Sequence, residues 1–130
     1  SIALFHDNQE SRLTDLHKLA QRYVNHKEAD LEVLREQLYK LPEKIRDDVQ
    51  TLFKEYNTQS TPEGIIAKDA DLLEYGLKAR ELIVQGNTGA KNWLDNVNKL
   101  VRTDTGKKLA KLLYTADPND WWKGLKKIER

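Results

Sequence analysis

The chain has 130 residues, with 22 Lys and Arg against 21 Asp and Glu, three His and no Cys. A formal net charge of +1 creates no overall field for nucleic acid or an anionic membrane surface, and without cysteine there is neither a disulfide nor a thiolate nucleophile or ligand. A cytoplasmic protein is expected, one domain over residues 1–130 that removes about two-thirds of its unfolded-state surface from water.

The chain contains no Met and opens inside the apolar run Ile2-Ala3-Leu4-Phe5. An internal segment of a longer protein, with more chain on the N-terminal side, is therefore expected. No apolar run approaches the roughly 18 residues that cross a bilayer, and no basic-then-apolar leader stands before a small-residue cleavage site.

Nearly every periodic segment has helical spacing and strand signals are missing, so the expected fold is all-α. The first helix is predicted to end near His6 to Glu10. Asp15 is then placed to cap a second helix, Leu16 to about Val24, with Leu16, Leu19, Ala20 and Tyr23 as its stripe. Leu31, Leu34, Leu38 and Leu41 form the stripe of a third. Pro42 suits the first helical position of a fourth, in which Ile45, Val49, Leu52, Phe53 and Tyr56 share a face. Thr61-Pro62 starts and Gly86 stops the longest helix. Its apolar residues Ile65, Ile66, Leu72, Leu73, Leu77, Leu82, Ile83 and Val84 cover well over half the circumference, which predicts a central helix. Helices from Ala90 to Val101 and from Thr105 to Tyr114 follow, and Asp117-Pro118 opens a last one carrying Trp121 and Trp122. There is no internal repeat, and Asn87-Thr88-Gly89 is too short for a domain linker.

His6 and Asp7 end an apolar helix and Glu10 follows one turn later, so imidazole and carboxylates can converge. Mixed His and carboxylate ligation suits Mn, Fe, Co, Ni or Zn, but two neighbouring ligands do not fill a coordination sphere. Asp69 falls within the apolar arc of the long helix and Asp71 at its edge; an unpaired carboxylate there costs several kcal/mol or takes up a proton, and a bound cation would offset that cost. The plainer alternatives stay open: a His-Asp cap or turn, and buried aspartates paired with Lys68, Lys78 or Arg80. His17 and His26 are expected to be partly exposed helix residues. Lys107, Lys108, Lys111, Lys123, Lys126, Lys127 and Arg130 are expected to make a solvated basic face that, with two Trp, could touch RNA weakly. Trp121 and Trp122 read most simply as core and interface packing.

Taken together, "ALFHDNQES", "TDLHK" and, after a helical stretch, "AKDADLLEYGLKA" resemble the HD-domain metal-dependent phosphohydrolases, most of all their 5'-deoxynucleotidase branch. Members carry an apolar helix ending in His-Asp, an acid three residues after the Asp, a Thr-Gly-Asp-Leu stretch shortly afterwards, and a later helix with a ligand Asp in a Lys-x-x-Asp context. The counterparts here are His6-Asp7, Glu10, Asp15-Leu16 and Lys68-x-x-Asp71. The resemblance implies an HD-type helical bundle in which His6, Asp7 and Asp71 hold a divalent transition metal (Mn, Co, Fe, Ni or Zn), with Asp69 as second choice. It further implies that Glu10 positions or activates the attacking water and that Asp15 lines the nucleotide pocket at the sugar. The reaction would release inorganic phosphate from a nucleoside 5'-monophosphate or a similar small ester. The family's first His ligand lies on a helix upstream of the His-Asp pair, which again points to chain N-terminal to this sequence. Leu13-Thr14 stand where the family has Thr-Gly.

The expected partners are thus a small nucleotide and a second copy in a homodimer, with neither nucleic acid nor membrane. The rival reading is a non-catalytic helical module, its acids paired structurally and its Trp-bearing end docked on a partner.

Overall fold

The computed structural model describes residues 1–125. Among them the fold is all-α, with no strand: α1 (Ile2–Phe5), α2 (Glu10–Leu13), α3 (His26–Leu38), α4 (Glu43–Thr58), α5 (Pro62–Val84), α6 (Lys91–Leu100) and α7 (Asp104–Leu112), with single 3-10 turns at Ala20–Arg22, Thr88–Ala90 and Asp120–Trp122. The chain divides into two compact units, Ser1–Ala67 and Lys68–Arg130, with the boundary inside α5. No helix among the described residues is long and apolar enough to cross a membrane.

Unit 1 is built on the facing stripes of α3 and α4. Leu34 and Leu38 of α3 bury against Val49 and Phe53 of α4, four side chains whose transfer from water contributes about 1.5–3 kcal/mol each. Asn25 starts α3 by accepting from the Glu28 amide while its own amide donates to the Glu28 carboxylate at 2.8 Å, a reciprocal cap. Leu31 and Leu41, at the ends of the predicted stripe, are 46% and 40% exposed. Pro42 is extended, and α4 begins one residue later at Glu43. A second cluster joins Ile2 of α1, Tyr56 of α4 and Ala67 of α5, with Leu52 at its edge.

The predicted helix from Leu16 to Val24 does not form. Asp15 caps nothing there, and only the 3-10 turn Ala20–Arg22 appears. Leu19, Tyr23 and Val24 are 59%, 79% and 50% exposed. A stripe with nothing to pack against does not offset the entropy of ordering a short helix. The helical turn lies earlier, as α2 at Glu10–Leu13, which packs on α3.

Unit 2 holds the remainder of α5 with α6 and α7. Ala79, Ala90 and Leu94 form one cluster, with Leu82, Ile83 and Leu113 against it; Val97, Val101 and Ala110 form another, flanked by Leu72 and Leu73. The buried positions of α5 are mostly small, namely Gly64, Ala67, Gly76 and Ala79, whereas Ile66, Leu77 and Val84 are exposed. Gly76 is the contact point: a Cβ there would lie 2.8 Å from Leu113 Cδ1 and 3.1 Å from Val97 Cγ1. Close backbone approach, more than a broad apolar arc, is how α5 packs.

Gly86, at φ +97°, ends α5 as predicted. The Asn87 amide reaches the Leu82 carbonyl and the Gly86 amide the Ile83 carbonyl, the paired bonds of a Schellman stop. α6 and α7 fall within about one turn of the predicted bounds. The helix expected after Asp117-Pro118 is reduced to the turn Asp120–Trp122. Asp117 ties the segment locally, accepting from the Asn119 amide at 2.9 Å and pairing with Lys123. Trp121 and Trp122 are 78% and 51% exposed, so they are not core residues. Of the basic stretch, Lys107, Lys108, Lys111 and Lys123 are exposed, whereas Lys126, Lys127 and Arg130 lie outside the described residues.

Candidate functional site

The His6-Asp7 corner belongs to unit 1. Its position is set by α1, whose Ile2 anchors against Tyr56 and Ala67, and by a brace from α3. Asn8 Nδ2 donates to Gln37 Oε1 at 2.9 Å, Gln37 Nε2 returns to the Asn8 carbonyl and to Ser11 Oγ, and Arg12 pairs with Glu36 at 2.8 Å. The turn between α1 and α2 is held at both ends.

Within that turn the His6 ring packs 4.6 Å from the Tyr56 ring, centroid to centroid, and its Nδ1 lies 3.0 Å from the Ala3 carbonyl oxygen. A carbonyl only accepts, so Nδ1 carries the proton and Nε2, itself buried, is the nitrogen left to face Asp7. Nε2 sits 2.9 Å from Asp7 Oδ2. The side chain of His6 is 16% exposed and that of Asp7 50%, so the pair is accessible from its carboxylate side.

Glu10 opens α2 beside the pair. Burial pushes its carboxyl above the ordinary value, the charges of Asp7, Asp15 and Asp30 push in the same direction, and His6 pulls the other way. His6, Asp7, Glu10 and Asp15 are therefore brought into one electrostatic neighbourhood; spacing predicts the convergence of the first three, and only the family resemblance adds Asp15. One further member was not legible in the sequence. Asp30 of α3, itself raised by burial, joins the neighbourhood only through the packing of α2 on α3. Gln9 is 7% exposed, and its Oε1 is buried with no hydrogen-bond partner among the described residues.

Thr14 carries a visible signal. It occupies φ +61°, ψ 166°, a region that is essentially glycine-only and costs a β-branched residue about 1–3 kcal/mol. This is the position at which the resembling family has Gly. Thr14→Gly is expected to stabilise the chain by about 1 kcal/mol, the released strain exceeding the added unfolded-state entropy; chemical denaturation measures it.

Asp69 and Asp71 belong to unit 2 and differ in what surrounds them. Asp69 is 4% exposed. Its Oδ1 accepts from the Arg102 amide at 2.9 Å, and its Oδ2 from the Thr103 amide at 2.7 Å and the Thr103 hydroxyl at 2.6 Å. Burial pushes its carboxyl up, but these bonds, together with the Arg102 charge, outweigh it and hold the group below the ordinary value. Thr103 Oγ1 in turn accepts from the Gly106 amide, so Asp69 supports the N-cap of α7. Asp71, half-buried, pairs with Lys68 at 2.7 Å. Of the other cations considered as partners, Lys78 pairs with Glu81 and Arg80 Nε donates to the Ala116 carbonyl. His17 is exposed, with its Nδ1 accepting from the Ala20 amide, and His26 is half-buried.

Across the chain, residues 1–113 match the family described as HD domain. The chain belongs to the HD-domain family. HD-domain proteins are typically metal-dependent phosphohydrolases and bind divalent metals. The HD-domain match spans both units and includes His6, Asp7, Glu10, Asp15 and Asp71. No curated protein and no solved structure matches the chain.

Whether an HD-domain metal fits is decided at the His6-Asp7 corner. A ligating imidazole needs its other nitrogen tied to an acceptor, which fixes ring orientation and tautomer; the Ala3 carbonyl does this. Nε2 and Asp7 Oδ2 face one another at 2.9 Å, one nitrogen and one oxygen donor side by side. The pair fits as two donors. No group of three or more His, Cys, Asp or Glu able to hold a metal ion is found among the described residues.

Proposed function

We propose that this chain hydrolyses a nucleoside 5'-monophosphate or a similar small phosphate ester, in the manner of a 5'-deoxynucleotidase, with a divalent transition metal held by His6, Asp7 and Asp71. The observation that carries the reading is the orientation of His6: Nδ1 committed to a backbone carbonyl and Nε2 aimed at Asp7 Oδ2, in a chain of a family that is typically metal-dependent. Asp71 enters through the Lys-x-x-Asp context, its pairing with Lys68 giving way to the metal. When bound, the ion would supply positive charge against the phosphoryl oxygens and ease deprotonation of water.

The chain's own groups account for the proton. Glu10, its carboxyl raised by burial and by neighbouring carboxylates, is matched to take a proton from the attacking water nearer to neutrality than an ordinary Glu. As the water oxygen bonds to phosphorus, the bond from phosphorus to the sugar oxygen breaks. Glu10 then returns its proton to that leaving oxygen, giving nucleoside and inorganic phosphate. Asp15 accepts from a sugar hydroxyl.

Elemental mass spectrometry of the purified protein tests the ligand set. About one Mn, Co, Fe, Ni or Zn per chain is expected, lost in both His6→Ala and Asp71→Ala. Metal-free wild type after incubation with these ions would overturn the proposal, and retention in Asp71→Ala alone would remove Asp71 from the set.

A further inference from the structure

A groove of about 450 Å³ opens between α3 and α4 in unit 1, within the size range of small-molecule sites. Its floor is apolar, made by Leu34 and Phe53, which are 2% and 7% exposed, with Leu31 on the wall. Three cations stand around it: Lys27 and Arg35 from α3 and Lys54 from α4. None of the three forms an ion pair among the described residues. Arg12, Lys44, Arg46, Lys68, Lys78 and Lys123 do find carboxylates, and the three at the groove are among the cations exposed to solvent instead.

The one acid in the groove does not neutralise them. Burial raises the Asp30 carboxyl, and the charge that opposes this is that of His26 on its own helix. The amide of Asn57 and the hydroxyl of Thr58 are turned back to α4, donating to the Phe53 and Lys54 carbonyls. What the groove offers a ligand is therefore an apolar floor with three exposed cations and one acid around it, Glu28 and Glu32 standing beside Arg35 on the adjoining face.

We infer that this groove is a binding site for an amphipathic organic anion, a carboxylate or phosphate head on an apolar body. Lys27, Arg35 and Lys54 would take the head, and Leu31, Leu34 and Phe53 the body. An anion repays the desolvation of cations that have no internal partner, and the apolar body repays its own removal from water. A neutral chain of equal length would obtain only the second term, and a small inorganic anion only the first. Asp30 is shared between the groove wall and the surroundings of Glu10, but the inference uses none of His6, Asp7, Glu10, Asp15 or Asp71, and it holds if the chain has no phosphatase activity.

Amide NMR shift mapping on the full chain provides the test, with decanoate as the probe and decan-1-ol as its neutral counterpart. Decanoate is expected to give saturable shifts concentrated at Lys27 to Arg35 and Gln50 to Thr58. Decan-1-ol should bind at least about tenfold more weakly, and the double variant Arg35→Gln, Lys54→Gln should weaken decanoate by a similar factor. Both substituted side chains are exposed, so the variant's spectrum reports directly that the fold is kept; Lys27→Gln is the independent second variant, expected to weaken decanoate as well. Shifts scattered over the chain, equal affinity for the alcohol, or unchanged affinity in both variants would each overturn the site. A nucleoside 5'-monophosphate titrated in parallel should leave the groove resonances in place. If it saturates them at the same concentrations as decanoate, the groove is part of a nucleotide site and the separate anion site is overturned.

Discussion

Replacing Asp7 with Ala is expected to reduce hydrolysis of a nucleoside 5'-monophosphate by at least about 100-fold, equivalent to roughly 2.7 kcal/mol of transition-state stabilisation. Asp7 Oδ2 is the atom that faces His6 Nε2 at 2.9 Å, so removing it withdraws one donor and unbalances the other. Release of inorganic phosphate in the presence of Mn or Co measures the loss. Glu10→Gln separates binding from chemistry. Its carboxyl lies outside the proposed ligand set, so the metal content should persist while kcat falls by about 10²–10⁴, the usual contribution of a positioned general base. Full activity in Asp7→Ala would remove the metal mechanism; full activity in Glu10→Gln would remove only the assignment of the base.

The second large effect is on stability. Asp69→Ala is expected to cost about 3 kcal/mol, because the Arg102 and Thr103 amides and the Thr103 hydroxyl, in part-buried bonds, lose one charged acceptor together. The weakening should concentrate in α7, whose N-cap hydroxyl relies on that carboxylate, and hydrogen exchange at Lys107 to Leu112 would rise first. Asp69→Asn keeps an acceptor and should cost less. Chelator treatment of the wild-type protein should not reproduce the effect. If it did, the structural role given to Asp69 would be wrong and its place as a metal ligand would reopen.

The two aspartates show how far periodicity reaches. Projection on a helical wheel places Asp69 deeper than Asp71, and Asp69 is indeed the buried one. Depth does not identify a partner. Asp69 is met by the backbone of residues 33 and 34 positions away, and a contact at that separation leaves no trace in local spacing. The choice of Asp71 as ligand came from the Lys-x-x-Asp context, and it stays a proposal that rests on that context. Leu16 to Val24 shows the opposite failure. Its stripe is as regular as that of Leu34 and Leu38, yet Leu19 and Tyr23 are left facing solvent, because amphipathic spacing states what a segment can bury and not whether another element arrives to cover it.

By itself the sequence determined the all-α class, the stop at Gly86, the long helix from Pro62, and the grouping of His6, Asp7 and Glu10. Each of these depends on neighbours within about two turns, where side-chain geometry follows from the helical repeat. Only the tertiary structure decided that Asp69 supports the Thr103 cap of α7, that Asp30 stands with Glu10, that Trp121 and Trp122 are exposed, and that α3 and α4 leave three cations around an apolar groove. Those outcomes depend on which elements meet. Burial, desolvation and charge pairing are properties of the meeting rather than of either partner alone.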